Sequence, residues 1–294
     1  MSPSPFNVTV HPFSSPTPSS CAYERGPTSS RNALVYISGL TSGPHTTPQV
    51  EPLIRALEAA RDLDYSFWEF RMRSSYTGFG YSSIANDVDD TAALVEYLKG
   101  LGKQKVVLVG SSTGCQALLA YASSQTSVPE VTAFILQAPT SDRETASLLM
   151  PPEFLAKSLA HAEDVIAMGK KDEIMPKALI PPIFNSPITA YRWHSLLAKG
   201  GDDDYFSSDL DAENLSRTFG KVSKPVLILP SEDDEMIPPS VDKEALLQRW
   251  IDAVPRGETS NLSGLNPGAD HTLSGDGAQN WFADKVFRFL KTLE

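Results

Sequence analysis

The chain has only two cysteines in 294 residues, Cys21 and Cys115. That is too few for a disulfide framework to stand in for a hydrophobic core, and it suits a reducing compartment. A bridge between the two stays open, but Cys115 reads as a small packing residue. Positive charge is also scarce: 25 Lys and Arg face 36 Asp and Glu, a formal net charge of -11. No basic run interrupts that excess, which argues against a nucleic-acid or anionic-membrane partner. No apolar stretch approaches the length needed to span a bilayer. The opening Met1-Ser2-Pro3-Ser4-Pro5-Phe6 lacks both the basic and the apolar region of a signal peptide. A cytoplasmic protein is expected, with the sequons at Asn7, Asn214 and Asn261 unused. There is no internal repeat and no Rossmann-type glycine fingerprint. The five histidines show no metal-ligand spacing, so neither cofactor nor metal is expected.

What remains is a chain that is 41% hydrophobic, enough to bury a sizeable core, with short apolar runs alternating with helical patterns. That alternation predicts an α/β fold: a mostly parallel central sheet flanked by helices, in a single domain over 1–294. Phe6 to Val10 and Ala22 to Glu24 read as short edge strands. Ala33 to Ile37, Tyr65 to Phe70, Val106 to Val109, Ala133 to Leu136 and Val226 to Leu229 read as the sheet. Val50 to Ala60 and Ile84 to Leu98 read as helices. Asp87, Asp89 and Asp90 lie in the first turns of the second, where the helix dipole favours acids. Thr140 to Phe219 is too long for a loop and has helical pattern of its own, so residues 140–219 are expected to form an inserted helical cap.

The densest signal is Gly110-Ser111-Ser112-Thr113-Gly114, set between the apolar run Val106 to Val109 and the helix-like Gln116 to Tyr121. A strand that turns sharply into a helix strains the residue at its apex and needs small neighbours two positions either side. Gly110 and Gly114 meet that need and leave Ser112 at the apex of a nucleophile elbow. Ser111 is not framed in this way.

A serine hydroxyl is a weak nucleophile at neutral pH, so the elbow predicts a histidine to take its proton and a carboxylate to hold that histidine, the acid first in the chain. Pro225 to Pro230 reads as a buried strand followed by Ser231-Glu232-Asp233-Asp234-Glu235-Met236-Ile237-Pro238. Asp234 is the expected acid, with Asp233 second; a solvated acidic turn before the helix starting near Val241 is the plain alternative. Of His11, His45, His161, His194 and His271, only His271 lies in a turn-rich stretch ahead of the last amphipathic helix, Trp281 to Leu290. His45 follows the early glycine loop and could touch substrate.

An oxyanion needs two N–H donors. Thr113, directly after the nucleophile, is one; Leu40, in Ser38-Gly39-Leu40-Thr41-Ser42-Gly43-Pro44 after an early strand, is the other. Candidate substrate contacts are Arg71 and Tyr76, after the strand that ends at Phe70, and Tyr191 and Trp193 in the cap. For the cap aromatics, internal packing is the ordinary role. Asp202-Asp203-Asp204, with Asp209 and Asp211, reads as a solvated face that could attract a cationic substrate.

Over essentially its whole length the chain resembles the α/β-hydrolase superfamily. Through Tyr36-Ile37-Ser38-Gly39-Leu40-Thr41, Gly110 to Gln116 and Ser231 to Pro238 it is similar to a fungal family that includes the intracellular esterase of fusarinine-type siderophores. A Ser-Gly pair stands here where lipases often carry His-Gly. The resemblance implies a serine hydrolase without cofactor, acting on a small-molecule ester of a cyclic hydroxamate siderophore to release iron inside the cell. The same machinery serves many esters, so a carboxylesterase, thioesterase or lipase on another acyl group fits the same residues, and a non-catalytic relative is the remaining alternative.

Overall fold

The computed structural model describes residues 5–294; of the opening Met1 to Phe6, read above for targeting signals, Met1 to Ser4 lie outside them. The strands are β1 (Thr9–Pro12), β2 (Cys21–Arg25), β3 (Asn32–Ile37), β4 (Tyr65–Phe70), β5 (Lys105–Ser111), β6 (Ala133–Gln137) and β7 (Val226–Leu229). The helices are α1 (Glu51–Ala59), α2 (Ile84–Gly100), α3 (Thr113–Ala122), α4 (Asp142–Leu149), α5 (Pro152–Ala167), α6 (Ala190–Leu197), α7 (Ala212–Thr218), α8 (Lys243–Ala253) and α9 (Asp276–Thr292).

One seven-stranded sheet runs in the order β1-β2-β4-β3-β5-β6-β7. It is parallel from β4 to β7 and antiparallel at β1 and β2. Helices on both sides explain why β3, β4, β6 and β7 are buried at every residue. The pleat sends alternate side chains to opposite faces. Val106 and Leu108 of β5 join one core with α2, α3, α7 and α8, while Val107 and Val109 join another with α1 and α9. Burial of each such side chain contributes about 1.5–3 kcal/mol.

Two strand expectations change. The N-terminal strand is Thr9–Pro12 rather than Phe6 to Val10, and β2 is not an edge but sits inside, paired to both β1 and β4. The acids of α2 also do more than face a dipole. Asp87 and Asp90 are buried, and Asp90 takes the Thr17 hydroxyl at 2.8 Å and the Arg73 backbone N–H at 2.7 Å.

Between β6 and β7 the chain leaves the sheet for α4, α5, α6 and α7. Ala146, Ala162, Val165, Met175, Leu196 and their neighbours form a third apolar core there, which also takes in Phe79 from the β4–α2 connection. After α8, residues 258–266 run alongside β7 with single bridges at Thr259 and Asn266. Backbone N–H groups of Ser260 and Gly264 donate to Val226 and Ile228 at 2.8 and 3.1 Å, so this segment closes the sheet edge without being a regular strand. Among the described residues no helix is long and apolar enough to cross a membrane. Cys21 and Cys115 are both free; the Cys115 thiol points to the Gly110 and Gln137 carbonyls at 3.2 and 3.3 Å, and burial pushes its pKa up.

Candidate active site

The carboxyl ends of β3, β5 and β7 meet where the elbow turns. Ser112 holds φ +55° and ψ −124°, a left-handed backbone that costs a non-glycine residue roughly 1–3 kcal/mol. Close packing keeps it there. A Cβ at Gly110 would lie 2.5 Å from the Gly114 carbonyl oxygen, and one at Gly114 would lie 2.3 Å from that of Ile37. The Ser112 N–H donates to the Gln137 carbonyl at 3.0 Å, tying the apex to β6.

His271 Nε2 lies 2.9 Å from Ser112 Oγ, and its Nδ1 lies 2.9 and 3.1 Å from the two Asp234 oxygens. The Asp234 carboxylate is only 2% exposed and also accepts the Met236 N–H at 2.9 Å. Asp233, the other candidate acid, is exposed to solvent and makes no hydrogen bond to His271 among the described residues. The remaining acids of the turn hold the histidine loop: Glu232 accepts the Gly268 N–H and Glu235 the His271 N–H, at 2.8 and 2.9 Å. Burial pulls the His271 imidazole down, but the hydrogen bond and charge of Asp234, with Glu235 and Asp142 beyond, outweigh it and leave the pKa above the ordinary value.

Leu40 and Thr113 line one small cavity beside the elbow. A Cβ at Gly39 would lie 2.8 Å from that of Ser112, so only glycine lets the β3 loop pass so near the apex. Among the described residues neither the Leu40 nor the Thr113 N–H has a hydrogen-bond partner. Thr113 opens α3, where N–H groups are unspent in any helix.

The four candidate substrate contacts fare differently. Tyr76 braces the loop of Leu40: its hydroxyl donates to the Pro44 carbonyl at 2.9 Å, and its ring fills the space beside Gly43. Arg71 is exposed, with its backbone hydrogen-bonded to Cys21 and Ser20. The Tyr191 hydroxyl bonds to Asp202, and Lys171 sits over its ring. Trp193 is fully buried, edge-on to Phe184, so it serves the core of the β6–β7 insertion rather than a pocket. His45 is likewise engaged, 3.0 Å from Glu69 and against the Tyr23 ring.

The acidic run is not a free solvated face. Asp203 is buried against Arg192 at 2.7 and 2.9 Å, Asp209 pairs with Arg143 and Lys199, and Asp211 caps α7. Sequence reasoning missed that the buried Asp87, Arg192 and Asp203 gather with the half-buried Asp142, because these residues come from α2, α4, α6 and the loop after α6. Gln116 of α3, three residues past Thr113, donates to Asp142 at 2.9 Å.

A mostly parallel sheet wrapped by helices, with a strained serine where β5 turns into α3, defines the class: the chain is an α/β-hydrolase. The solved structure described as siderophore hydrolase EstB from Aspergillus fumigatus superposes with a TM-score of 0.84 at 26% identity, covering 100% of this chain and 99% of that one.

Residues 1–291 match the model of a family described as Protein of unknown function (DUF1749), and the chain belongs to that family. It is 31% identical to Esterase AN6793 of Emericella nidulans over 90% of this chain and 87% of that protein. It is 28% identical to Fusarinine C esterase sidJ of Aspergillus fumigatus, with 89% of each covered. Fold and relatives together make it a carboxylic ester hydrolase.

Proposed function

We propose that the protein is a serine esterase in which Ser112, His271 and Asp234 form the catalytic triad and Leu40 and Thr113 the oxyanion hole. The observation that carries this reading is the continuous hydrogen-bond chain from Asp234 through His271 to Ser112, 2.9 Å at each link, ending on a strained elbow serine. Ser112 Oγ attacks the ester carbonyl as its proton passes to His271 Nε2. Asp234, bonded at Nδ1, fixes the tautomer and stabilises the imidazolium, and the two backbone N–H groups hold the oxyanion. His271 then protonates the departing alkoxide. Water, losing its proton to the same nitrogen, attacks the acyl carbon and frees the serine.

For the substrate we infer an ester bond of a fusarinine-type hydroxamate siderophore, cut in the cytoplasm to release iron. Support comes from relatives named for fusarinine C and siderophore hydrolysis that cover nearly the whole chain. The insertion of α4 to α7 between β6 and β7 would act as the cap that shapes the pocket, all within one domain. The test is a time course with fusarinine C and its triacetylated form, followed by mass spectrometry, beside fluorophosphonate labelling of Ser112. Ring opening that Ser112→Ala abolishes is expected. Labelling without cleavage of either compound would overturn the siderophore assignment and leave the esterase; no labelling would overturn the triad.

A further inference from the structure

The loop that carries Leu40 is held in an unfavourable backbone. The Ser42 N–H donates to the Gly39 carbonyl at 3.1 Å, which closes a tight turn over Leu40 and Thr41. Thr41 has φ +65° and His45 φ +66°, left-handed values that turns ordinarily give to glycine. Other residues stay there only where the surroundings over-determine them. On the side of the nucleophile that constraint is Gly39, packed on Ser112. The other side is closed by two residues outside the loop.

Tyr76 is one of them. Its N–H donates to the Ser42 carbonyl and its hydroxyl to the Pro44 carbonyl, both at 2.9 Å. Glu69 is the other. It is the only charged residue of β4, a strand buried at every position, and it is 6% exposed. The His45 N–H donates to its Oε1 at 3.1 Å, and His45 Nδ1 lies 3.0 Å from its Oε2. Both carboxylate oxygens are thus turned to one residue of the loop, and among the described residues no Lys or Arg pairs with Glu69. Desolvation offsets most of what a buried carboxylate gains from its partner, so stability alone does not account for one here.

We propose that Glu69 is a positioning residue for the oxyanion hole: through His45 it fixes the loop so that the Leu40 N–H is aimed before substrate arrives. This rests on the assignment of Ser112, Leu40 and Thr113, and adds to it a residue that touches neither substrate nor the reacting atoms. A donor fixed in advance stabilises the oxyanion without reorganisation at the moment of reaction. A donor displaced by about 1 Å loses up to roughly hundredfold in rate.

The experiment compares wild type with Glu69→Gln, which keeps the shape and removes the charge, and with His45→Asn, an exposed position given a side chain that tolerates left-handed backbone. Active sites are counted by the stoichiometric release of p-nitrophenol from diethyl p-nitrophenyl phosphate, so that unfolded protein drops out. Per active site, each variant is expected to lose roughly ten- to hundredfold in kcat on p-nitrophenyl acetate, with KM within about twofold of wild type. A trifluoromethyl ketone, whose adduct with the serine carries an oxyanion, should bind more weakly by the same factor. Where Glu69→Gln does not fold, His45→Asn decides alone. A lower thermal midpoint and fewer active sites, with kcat per site and ketone binding unchanged, would show that Glu69 only holds the fold and would overturn the proposal; so would a loss confined to KM. If wild type releases no p-nitrophenol from the phosphate and the ketone does not inhibit it, the nucleophile assignment falls, and this proposal with it.

Discussion

Two buried ionic groups lie at opposite ends of the same sheet, and they are built to opposite rules. At the amino ends of the parallel strands, Lys103 donates to Glu24 at 2.9 Å, to the Ser30 carbonyl at 2.7 Å and to Ser66 at 3.2 Å, while the other Glu24 oxygen meets His11 at 3.0 Å. Every donor of that ammonium and both carboxylate oxygens are engaged. At the carboxyl ends, Arg192 is shared among more carboxylates than it can neutralise, and an Asp87 oxygen stays unpartnered. A fully satisfied group specifies and holds the fold. The incompletely satisfied one lies with Thr113 and Gly114 of the elbow turn around one small cavity, at the end of the sheet where open α/β folds bind ligands.

The contrast breaks most completely at the nucleophile. Ser112→Ala is expected to cut kcat by roughly a millionfold, the scale seen when an essential member of a triad is removed, with the thermal midpoint little changed. Activity on a chromogenic ester beside a calorimetric scan checks both. Asp234→Asn keeps the shape but favours the wrong tautomer, and a loss of about ten-thousandfold is expected, whereas Asp233→Asn should stay within a few-fold of wild type. Comparable losses in the two variants would reassign the acid.

At the other end the effect is on stability. Lys103→Met leaves Glu24, only 1% exposed, buried without its cation and should cost about 3–5 kcal/mol in denaturant unfolding, with kcat/KM of the folded fraction preserved. A large kcat/KM loss would show that the amino end also serves the reaction.

The smallest effect is the pH profile. His271 is raised above 6.5, and only the neutral imidazole is a base, so activity should fall with acidification at a pH above the ordinary histidine value. Asp234→Asn removes the largest of the influences that raise it, so the midpoint of its residual activity should move to lower pH. Stability runs the other way. A pKa raised on folding contributes stability that is fully present below the unfolded value and is lost as pH climbs through the folded one. Chemical denaturation across that window, with and without His271→Gln, checks the sign.

Much of the site could be read from the chain because its chemistry is local. Gly110, Ser112 and Gly114 state a turn whose sterics admit few alternatives, and β7 matches its expected bounds because a fully buried parallel strand is a short uninterrupted apolar run. Trp193 shows the limit. An aromatic in a helical segment announces burial but not which core, and here Trp193 lies edge-on to Phe184 in the core it shares with Phe79. Asp202, Asp203 and Asp204 mislead for the same reason: adjacent acids look solvated, yet the middle one is 2% exposed against Arg192.

The elbow and the sheet that carries it were legible in the chain, because each is written in neighbouring residues and backbone sterics. The meeting of His271 with both Asp234 and Ser112, the near approach of Gly39 to Ser112, and the gathering of Asp87, Asp142, Arg192 and Asp203 came only with long-range packing. Those depend on distances between residues 11 to 159 positions apart in the chain, which long-range packing sets and no local pattern encodes.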